Sequence, residues 1–166
     1  RKRVAFAAIT AVLSLVLTVV ALGVVDELLR RHYAASLGLN RWGYRGPVVG
    51  RKQPGERRVV VVGGSTAFGF GVSTEESLPE HLDRRFEALR SPDRWVNVVN
   101  LGYPSEGAWS LHFTLDDYAY LDYDVAILYA GYNDLRRPNM RAFRHDSPVF
   151  RATGYLPILP LVLGEK

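Results

Sequence analysis

The first 25 residues contain the feature that most limits what this chain can fold into. From Val4 to Val25, 22 consecutive residues carry no charge. At a rise of about 1.5 Å per residue, a helix of that length spans about 33 Å, enough to cross the hydrocarbon core of a bilayer. A cleaved signal peptide is the alternative, but its apolar stretch ordinarily has only about 7–15 residues. The sequence therefore predicts an uncleaved membrane helix within residues 1–25, with the lipid bilayer as its partner.

The charges that flank this segment predict its orientation. Three basic residues at positions 1–3 precede it, and Asp26 and Glu27 follow it. Basic residues at a helix end favour the cytoplasmic side of a membrane. We therefore expect a single-pass protein with a cytoplasmic N-terminus, and with everything after Asp26 in the periplasm or outside the cell.

One face of the predicted membrane helix consists of small residues, which fall within about 100° of one another around the helix axis. In lipid, small residues let two helices approach closely, and this contact drives their association. Small residues are also common in membrane helices that have no partner. The stripe predicts packing against another membrane helix or within a larger membrane complex; its members are Ala7, Thr10, Ala11, Ser14, Thr18 and Ala21.

The charge of the rest of the chain argues against nucleic-acid binding. The whole chain has 21 basic and 17 acidic residues, and three of the basic ones are residues 1–3. The remainder is almost balanced, without the basic face that a nucleic-acid partner needs. The chain has no cysteine, which excludes disulfides, cysteine-ligated metals and a cysteine nucleophile. The sequence predicts no cofactor.

The pattern after the membrane segment divides into two parts. Residues 26–58 predict a juxtamembrane helix over 26–37 and then an irregular linker that is rich in Gly, Pro and Arg. Within the linker, Trp42 and Tyr44 either lie at the bilayer interface or cover the edge of the next domain. Residues 59–166 have the pattern of a folded domain.

Three predicted strands alternate with helical patterns in this domain. The strands cover residues 59–62, 95–99 and 125–129, and the first consists only of valine, as in a strand buried on both faces. Ser77 with Glu80 has the spacing of a capping box, and Ser105 is in position to cap a second helical element. The order strand, helix, strand, helix, strand predicts an α/β fold with a parallel sheet that helices cover on both faces.

Small and polar residues follow each predicted strand. They are Gly63-Gly64-Ser65-Thr66, Asn100-Leu101-Gly102-Tyr103 and Gly131-Tyr132-Asn133-Asp134. Ligands of parallel sheets bind beyond the carboxyl ends of the strands, so we expect the three segments to meet at one edge.

The residue types in these segments fit nucleophilic catalysis. Ser65 after two glycines can expose its hydroxyl as a nucleophile; a helix cap or a phosphate loop are the alternatives, although the lysine of a nucleotide-binding loop is absent. The N–H groups of Ser65 and Gly102 and the carboxamide of Asn133 can together stabilise an oxyanion. Taken singly, Gly102 also fits a plain turn, and Asn133 fits a turn closed by its own side chain.

The three segments together resemble three sequence blocks of the SGNH (GDSL-type) hydrolase family, over residues 40–166. The resemblance implies a three-layer α/β/α sandwich of the flavodoxin-like type and esterase or acyl-transfer chemistry. It matches Ser65 to the nucleophile, and Gly102 and Asn133 to the oxyanion donors. It also implies supporting roles for Gly64, Gly131 and Asp134, and the role of Asp134 is structural.

The chain departs from the family pattern at two points. Gly64 stands where the family's name motif has Asp, and no Asp-x-x-His block is present to supply the base and its orienting acid. The four histidines are poor candidates for that base by their positions: His32, His81, His112 and His145. Either the base lies in a C-terminal part beyond Lys166 or the protein is an inactive relative. We expect the first, with an incomplete domain.

Two functions follow from these observations. The first is a membrane-anchored serine esterase or acyltransferase-type hydrolase that acts on an acyl ester outside the cytoplasm. The second is a non-catalytic accessory subunit of a larger integral-membrane complex, docked by its single membrane helix. The carboxylates at positions 116, 117, 122 and 124 are expected on the surface rather than around a metal ion.

Overall fold

A computed structural model describes residues 1–34, 37–135 and 143–164 of the chain. These residues form two compact units: Arg1–His32 with Pro157–Lys166, and Tyr33–Leu156. The helices are α1 (Lys2–His32), α2 (Ser65–Phe68), α3 (Leu78–Glu87), α4 (Leu111–Asp117), α5 (Phe143–Asp146), α6 (Pro148–Thr153) and α7 (Leu159–Gly164). The strands are β1 (Glu56–Gly63), β2 (Trp95–Asn100) and β3 (Val125–Tyr129).

The first unit is dominated by α1, which is one continuous helix through the uncharged segment and the juxtamembrane residues. In the described part of the chain it is the one helix long and apolar enough to cross a membrane. Its small-residue stripe is exposed, and the hydroxyl of Thr18 donates within the helix to the carbonyl of Ser14, at 2.8 Å. The side chains of this stretch thus face outward, as a lipid environment requires.

Asp26 joins the two segments of the first unit. Its carboxylate accepts the N–H groups of Ile158 and Leu159, at 2.7 and 3.0 Å, at the start of α7. Arg30 lies 3.1 Å from the other oxygen of the same carboxylate. The Asp26 side chain is buried, and its carboxylate satisfies the two N–H groups at the start of α7.

The second unit is built around a three-stranded parallel sheet in the order β2-β1-β3. The central strand β1 contains the valine run, and Val60, Val61 and Val62 have no exposed surface. An uninterrupted β-branched run is suited to a strand with neighbours on both sides and cover on both faces. The predicted α/β class and the parallel direction of all three strands are confirmed.

The edge strand β3 is much less covered than β1. Val125, Leu128 and Tyr129 are 51, 61 and 49% exposed. Because alternate side chains of a strand point to opposite faces, Leu128 is exposed on one face, and Val125 and Tyr129 are exposed on the other. Within the described residues, β3 has the composition of an interior strand and the exposure of an edge strand.

The capping contacts of two helical elements differ from their predictions, although α3 begins at Leu78 with Ser77 as its N-cap, as the sequence predicts. The capping box forms at Ser73 and Glu76, four residues before the predicted one, and the Ser77 hydroxyl donates to the carbonyl of Thr74. A 3₁₀ turn over Thr74–Glu76 brings that carbonyl within reach of Ser77, which is why the predicted box is wrong. Ser105 caps no helix: it has a left-handed backbone, with φ of 66°.

Tyr44 belongs to the core of the second unit. It is 1% exposed, packs edge-on against Tyr118 with ring centroids 5.8 Å apart, and accepts the N–H of Val49. Arg45, the next residue, donates its N–H to the carbonyl of Asn100 at the end of β2. Of the two predicted places for Tyr44, the structure has it covering the edge of the sheet. Trp42 is 38% exposed.

Candidate functional site

The carboxyl ends of the three strands lie at one edge of the sheet, as their parallel direction requires. Beyond β2, the N–H of Leu101 donates to Val61 and that of Tyr103 to Gly63, each at 2.8 Å. The chain after β2 therefore runs alongside the end of β1. The register places Gly63 of β1 opposite Tyr129 of β3, so the third segment begins at the same level.

Ser65 is the first residue of α2, directly after the glycine pair that ends β1. Gly63 has no room for a side chain, because a Cβ there would lie 2.0 Å from the carbonyl oxygen of Tyr129. The tight passage from strand to helix leaves Ser65 half-buried at the sheet edge.

Ser65 and Asn133 line the same cavity. It has a volume of about 90 Å³ and is lined by Gly64, Ser65, Thr66, Glu106, Tyr129, Ala130, Gly131, Tyr132 and Asn133. The predicted nucleophile and one predicted oxyanion donor are thus brought together by the ends of β1 and β3, although they are far apart in the sequence. The cavity is small, and suits a single polar group rather than a whole large ligand.

The carboxamide of Asn133 has a defined orientation. Its Nδ2 donates to the main-chain carbonyl of Glu106, at 2.8 Å. A carboxamide has two N–H donors, and this bond uses one of them. A Cβ on Gly64 would lie 2.5 Å from the same Nδ2, so glycine at position 64 leaves the space that the carboxamide occupies.

Gly102 lies apart from this cavity. Its N–H donates to Oδ1 of Asn100, at 3.0 Å, and it does not belong to the lining residues. A Cβ on Gly102 would lie 2.4 Å from the N atom of Phe68, so glycine here allows the chain after β2 to pass against α2. The structure brings two of the three predicted oxyanion contributors to one place, and the third serves the packing of α2.

Asp134, the residue after Asn133, contacts the segment before α4. Both of its carboxylate oxygens lie 2.9 Å from the N–H of Ala108, which begins the 3₁₀ turn before α4. A Cβ on Gly107 would lie 2.7 Å from Oδ1 of Asp134, so the carboxylate leaves no room for a side chain at position 107. Asp134 thereby caps an element that the sequence analysis assigned to Ser105, and this tertiary contact explains why the predicted cap is wrong.

All four histidines lie in the described part of the chain, and none lines the cavity. Nδ1 of His145 is 3.2 Å from Oδ2 of Asp117, and its ring stacks on Phe113 with centroids 4.2 Å apart. His112 packs against the same Phe113, and His81 is 2.8 Å from a guanidinium nitrogen of Arg84.

Sequence reasoning missed a buried ion pair beneath the site. Glu106 and Arg144 are each 1% exposed, with their charged atoms 3.0 Å apart. Burial raises the pKa of the Glu106 carboxyl above its ordinary value, while the guanidinium of Arg144 and the hydroxyl of Thr114 act in the opposite direction. Nothing in the local sequence marks these residues, because each is surrounded by unremarkable turn and helix positions.

One of the carboxylates considered as metal ligands, Asp124, is bound by basic residues instead. Asp124 accepts the N–H of Arg58 at 2.7 Å and forms ion pairs with Lys52 and Arg57, each at 2.9 Å. In residues 1–34, 37–135 and 143–164, no group of three or more His, Asp or Glu side chains is placed to hold a metal ion.

The chain was compared with known proteins. No protein-family model matches it. No curated protein matches it either. The case for a function therefore depends on the geometry of the site.

Proposed function

We propose that this chain carries the nucleophile and the oxyanion donors of an SGNH-type serine esterase or acyltransferase. The observation that supports the proposal most is the shared cavity of Ser65 and Asn133 at the carboxyl edge of the parallel sheet. The strand order β2-β1-β3 also agrees with the first three strands of a flavodoxin-like sandwich, whose order is 2-1-3-4-5.

The reaction begins when Oγ of Ser65 attacks the carbonyl carbon of an acyl ester. The hydroxyl proton passes to a base, a C–O bond forms, and the carbonyl oxygen becomes an oxyanion. The N–H of Ser65 and the second N–H of Asn133 are the proposed donors to that oxyanion. Gly102 joins them only if its N–H leaves Asn100.

Collapse of the tetrahedral intermediate breaks the ester bond and releases the alcohol, which takes the proton from the protonated base. The acyl group is then bound to Ser65 as an ester. Water completes a hydrolysis and an acceptor hydroxyl completes a transfer, and both regenerate the serine. The proposal requires an imidazole or a similar base from outside the cavity lining described above, because no lining residue fills that role.

The proposed location is the outer face of a membrane. The α1 helix is long and apolar enough to span a bilayer, and the basic residues at positions 1–3 favour a cytoplasmic N-terminus. The esterase or acyltransferase would then meet acyl esters in the periplasm or outside the cell.

The test compares the full-length protein with its Ser65→Ala variant on p-nitrophenyl acetate, in detergent. We expect kcat/KM to fall by about 10³-fold or more, since removal of a catalytic serine leaves only residual catalysis. Ser91→Ala is the matched control, because Ser91 is an exposed turn serine before β2. Equal rates for wild type and Ser65→Ala would remove Ser65 from the mechanism.

A second candidate function is that of an accessory subunit in a larger membrane complex. It is favoured by the exposed apolar side chains of β3 and by the cavity without a base. Its test is co-purification of membrane partners with wild type and with a Ser14→Leu, Thr18→Leu double variant, with Val20→Leu as control. Partners lost only from the double variant support the subunit, and partners retained equally by all three argue against docking through the stripe.

A further inference from the structure

We propose that the buried Glu106–Arg144 pair positions Asn133 for oxyanion binding. This inference rests on the proposed function, since it assigns a purpose to two residues behind the same cavity. Neither side chain needs to touch the substrate, so both are positioning residues.

The link between the pair and Asn133 is the main chain of Glu106. The carbonyl of that residue accepts Nδ2 of Asn133 at 2.8 Å, while its side chain points into the interior and meets Nη2 of Arg144 at 3.0 Å. The Thr114 hydroxyl also donates to the Glu106 carboxylate. The main chain of Glu106, which accepts the Asn133 carboxamide, is therefore fixed by the ion pair that the Glu106 side chain makes with Arg144.

Arg144 also binds the segment that follows β2. One of its nitrogens donates to the carbonyl of Leu101 at 2.8 Å, and another donates to the carbonyl of Gly43 at 3.1 Å. Leu101 and Glu106 are the first and last residues of segment 101–106, which follows β2 along the carboxyl edge of the sheet. A planar guanidinium can hold both in one geometry, which a lysine ammonium cannot do equally well.

Glu106 and Arg144 are each 1% exposed, so the removal of their charges from water carries a desolvation penalty. An apolar pair of similar volume often gives equal or greater stability, so a buried ion pair is weak evidence for a stabilising role alone. Charged hydrogen bonds, in contrast, fix direction. The location of this pair behind the Asn133 acceptor favours orientation of the carboxamide as its purpose.

The kinetic test is a double-mutant cycle in the full-length protein on p-nitrophenyl acetate, with the variants Glu106→Gln, Asn133→Ala and both together. We expect Asn133→Ala to lower kcat by about 10²-fold to 10³-fold, as for loss of an oxyanion donor. Glu106→Gln is expected to lower kcat by about tenfold to hundredfold with little change in KM, because a misplaced donor loses much of its effect.

The cycle separates positioning from general destabilisation. If Glu106 acts through Asn133, Glu106→Gln causes no further loss in the Asn133→Ala background. If the two losses multiply, the positioning role is overturned. Arg144→Lys keeps the charge without the fork, and we expect an intermediate loss. Thr114→Val is the milder variant should Glu106→Gln fail to fold, with an expected loss of about threefold or more.

A second readout does not depend on activity. The side-chain amide signals of ¹⁵N-asparagine-labelled protein are recorded by NMR, and the Asn133 pair is assigned by its absence in Asn133→Ala. We expect Glu106→Gln or Thr114→Val to move that pair and to leave the Asn40 pair in place. Unmoved Asn133 signals would overturn the positioning role. An inactive wild type with moved signals would refute the hydrolase and leave the positioning role intact.

Discussion

Gly64 stands where the proposed resemblance to SGNH hydrolases would place an aspartate, and the structure gives a local reason for glycine at this position. The space that a side chain would enter at this position is occupied by the carboxamide of Asn133, 2.5 Å from where a Cβ would be. A backbone carbonyl, that of Glu106, lies 3.0 Å from the same point. Glycine at position 64 and asparagine at position 133 thus fit each other.

We predict that Gly64→Ala lowers ester hydrolysis by about tenfold to hundredfold, because the new methyl group displaces an oxyanion donor. The free energy of unfolding should fall by about 1 kcal/mol, because the displaced carboxamide loses its hydrogen bond to the carbonyl of Glu106, which itself lies 3.0 Å from the new Cβ. Gly50→Ala is the control, because no atom lies within 4 Å of its hypothetical Cβ. Hydrolysis at the wild-type rate by Gly64→Ala would show that the position of Asn133 is irrelevant to the chemistry.

Asp124 provides a test of the electrostatics of the second unit. Hydrogen bonds from Lys52 and from the N–H of Arg58 hold the pKa of this carboxyl well below its ordinary value. A carboxylate with a lowered pKa contributes stability above its unfolded pKa of about 4 and loses it as the pH falls. Asp124→Asn should therefore unfold at a lower urea concentration than wild type at pH 7.

The same pair of proteins should converge in acid. As the pH falls below about 4, wild-type Asp124 becomes protonated in the unfolded chain, so the advantage of the charge shrinks. The urea midpoints of the two proteins are followed by circular dichroism from pH 7 to pH 3. A constant difference between the midpoints across that range would contradict this account.

At the scale of elements, the three strands and the start of α3 could be predicted from the sequence, and the capping contacts of two elements could not. The valine run and the run Val125–Tyr129 are uninterrupted, and a buried parallel strand is the simplest structure that accommodates such a pattern. A cap depends on one side chain, however, and its partner can come from anywhere in the chain. Ser105 is close to the start of α4 in sequence, yet Asp134 provides the cap.

We predict that Asp134→Ala lowers the free energy of unfolding by about 1 kcal/mol, the usual cost of removing a capping side chain. Asp134→Asn should recover part of the loss, because its carboxamide oxygen can accept the same N–H of Ala108. Urea titration of the three proteins measures both effects. If Ser105→Ala were as destabilising as Asp134→Ala, the assignment of the cap would be wrong.

At the scale of the whole molecule, the absence of cysteine gives a clean test of topology. Single cysteines introduced by Lys2→Cys and Ser91→Cys probe positions before and after the uncharged segment Val4–Val25. In intact cells whose outer barrier has been permeabilised, a membrane-impermeant maleimide should label Ser91→Cys, while Lys2→Cys should react only after lysis. The reverse pattern would contradict the orientation inferred from the flanking charges.

At this scale, the sequence predicts that the segments containing Ser65 and Asn133 meet, but it does not predict the contacts of Gly102 or of Glu106. Parallel strands must share their carboxyl edge, so the meeting of the segments at Ser65 and Asn133 follows from topology. The use of Gly102 could not be predicted, because it depends on whether its N–H faces the cavity or the side chain of Asn100. The Glu106–Arg144 pair is likewise a contact between distant residues that carries no local pattern.

The central claim is that Ser65 is an activated nucleophile beside Asn133. The most direct measurement treats the native full-length protein with a fluorophosphonate and maps the adduct by peptide mass spectrometry. The account predicts one adduct, on Ser65, that is lost in heat-denatured protein and is strongly reduced in Asn133→Ala. Unmodified Ser65 in native protein that still hydrolyses p-nitrophenyl acetate would contradict it.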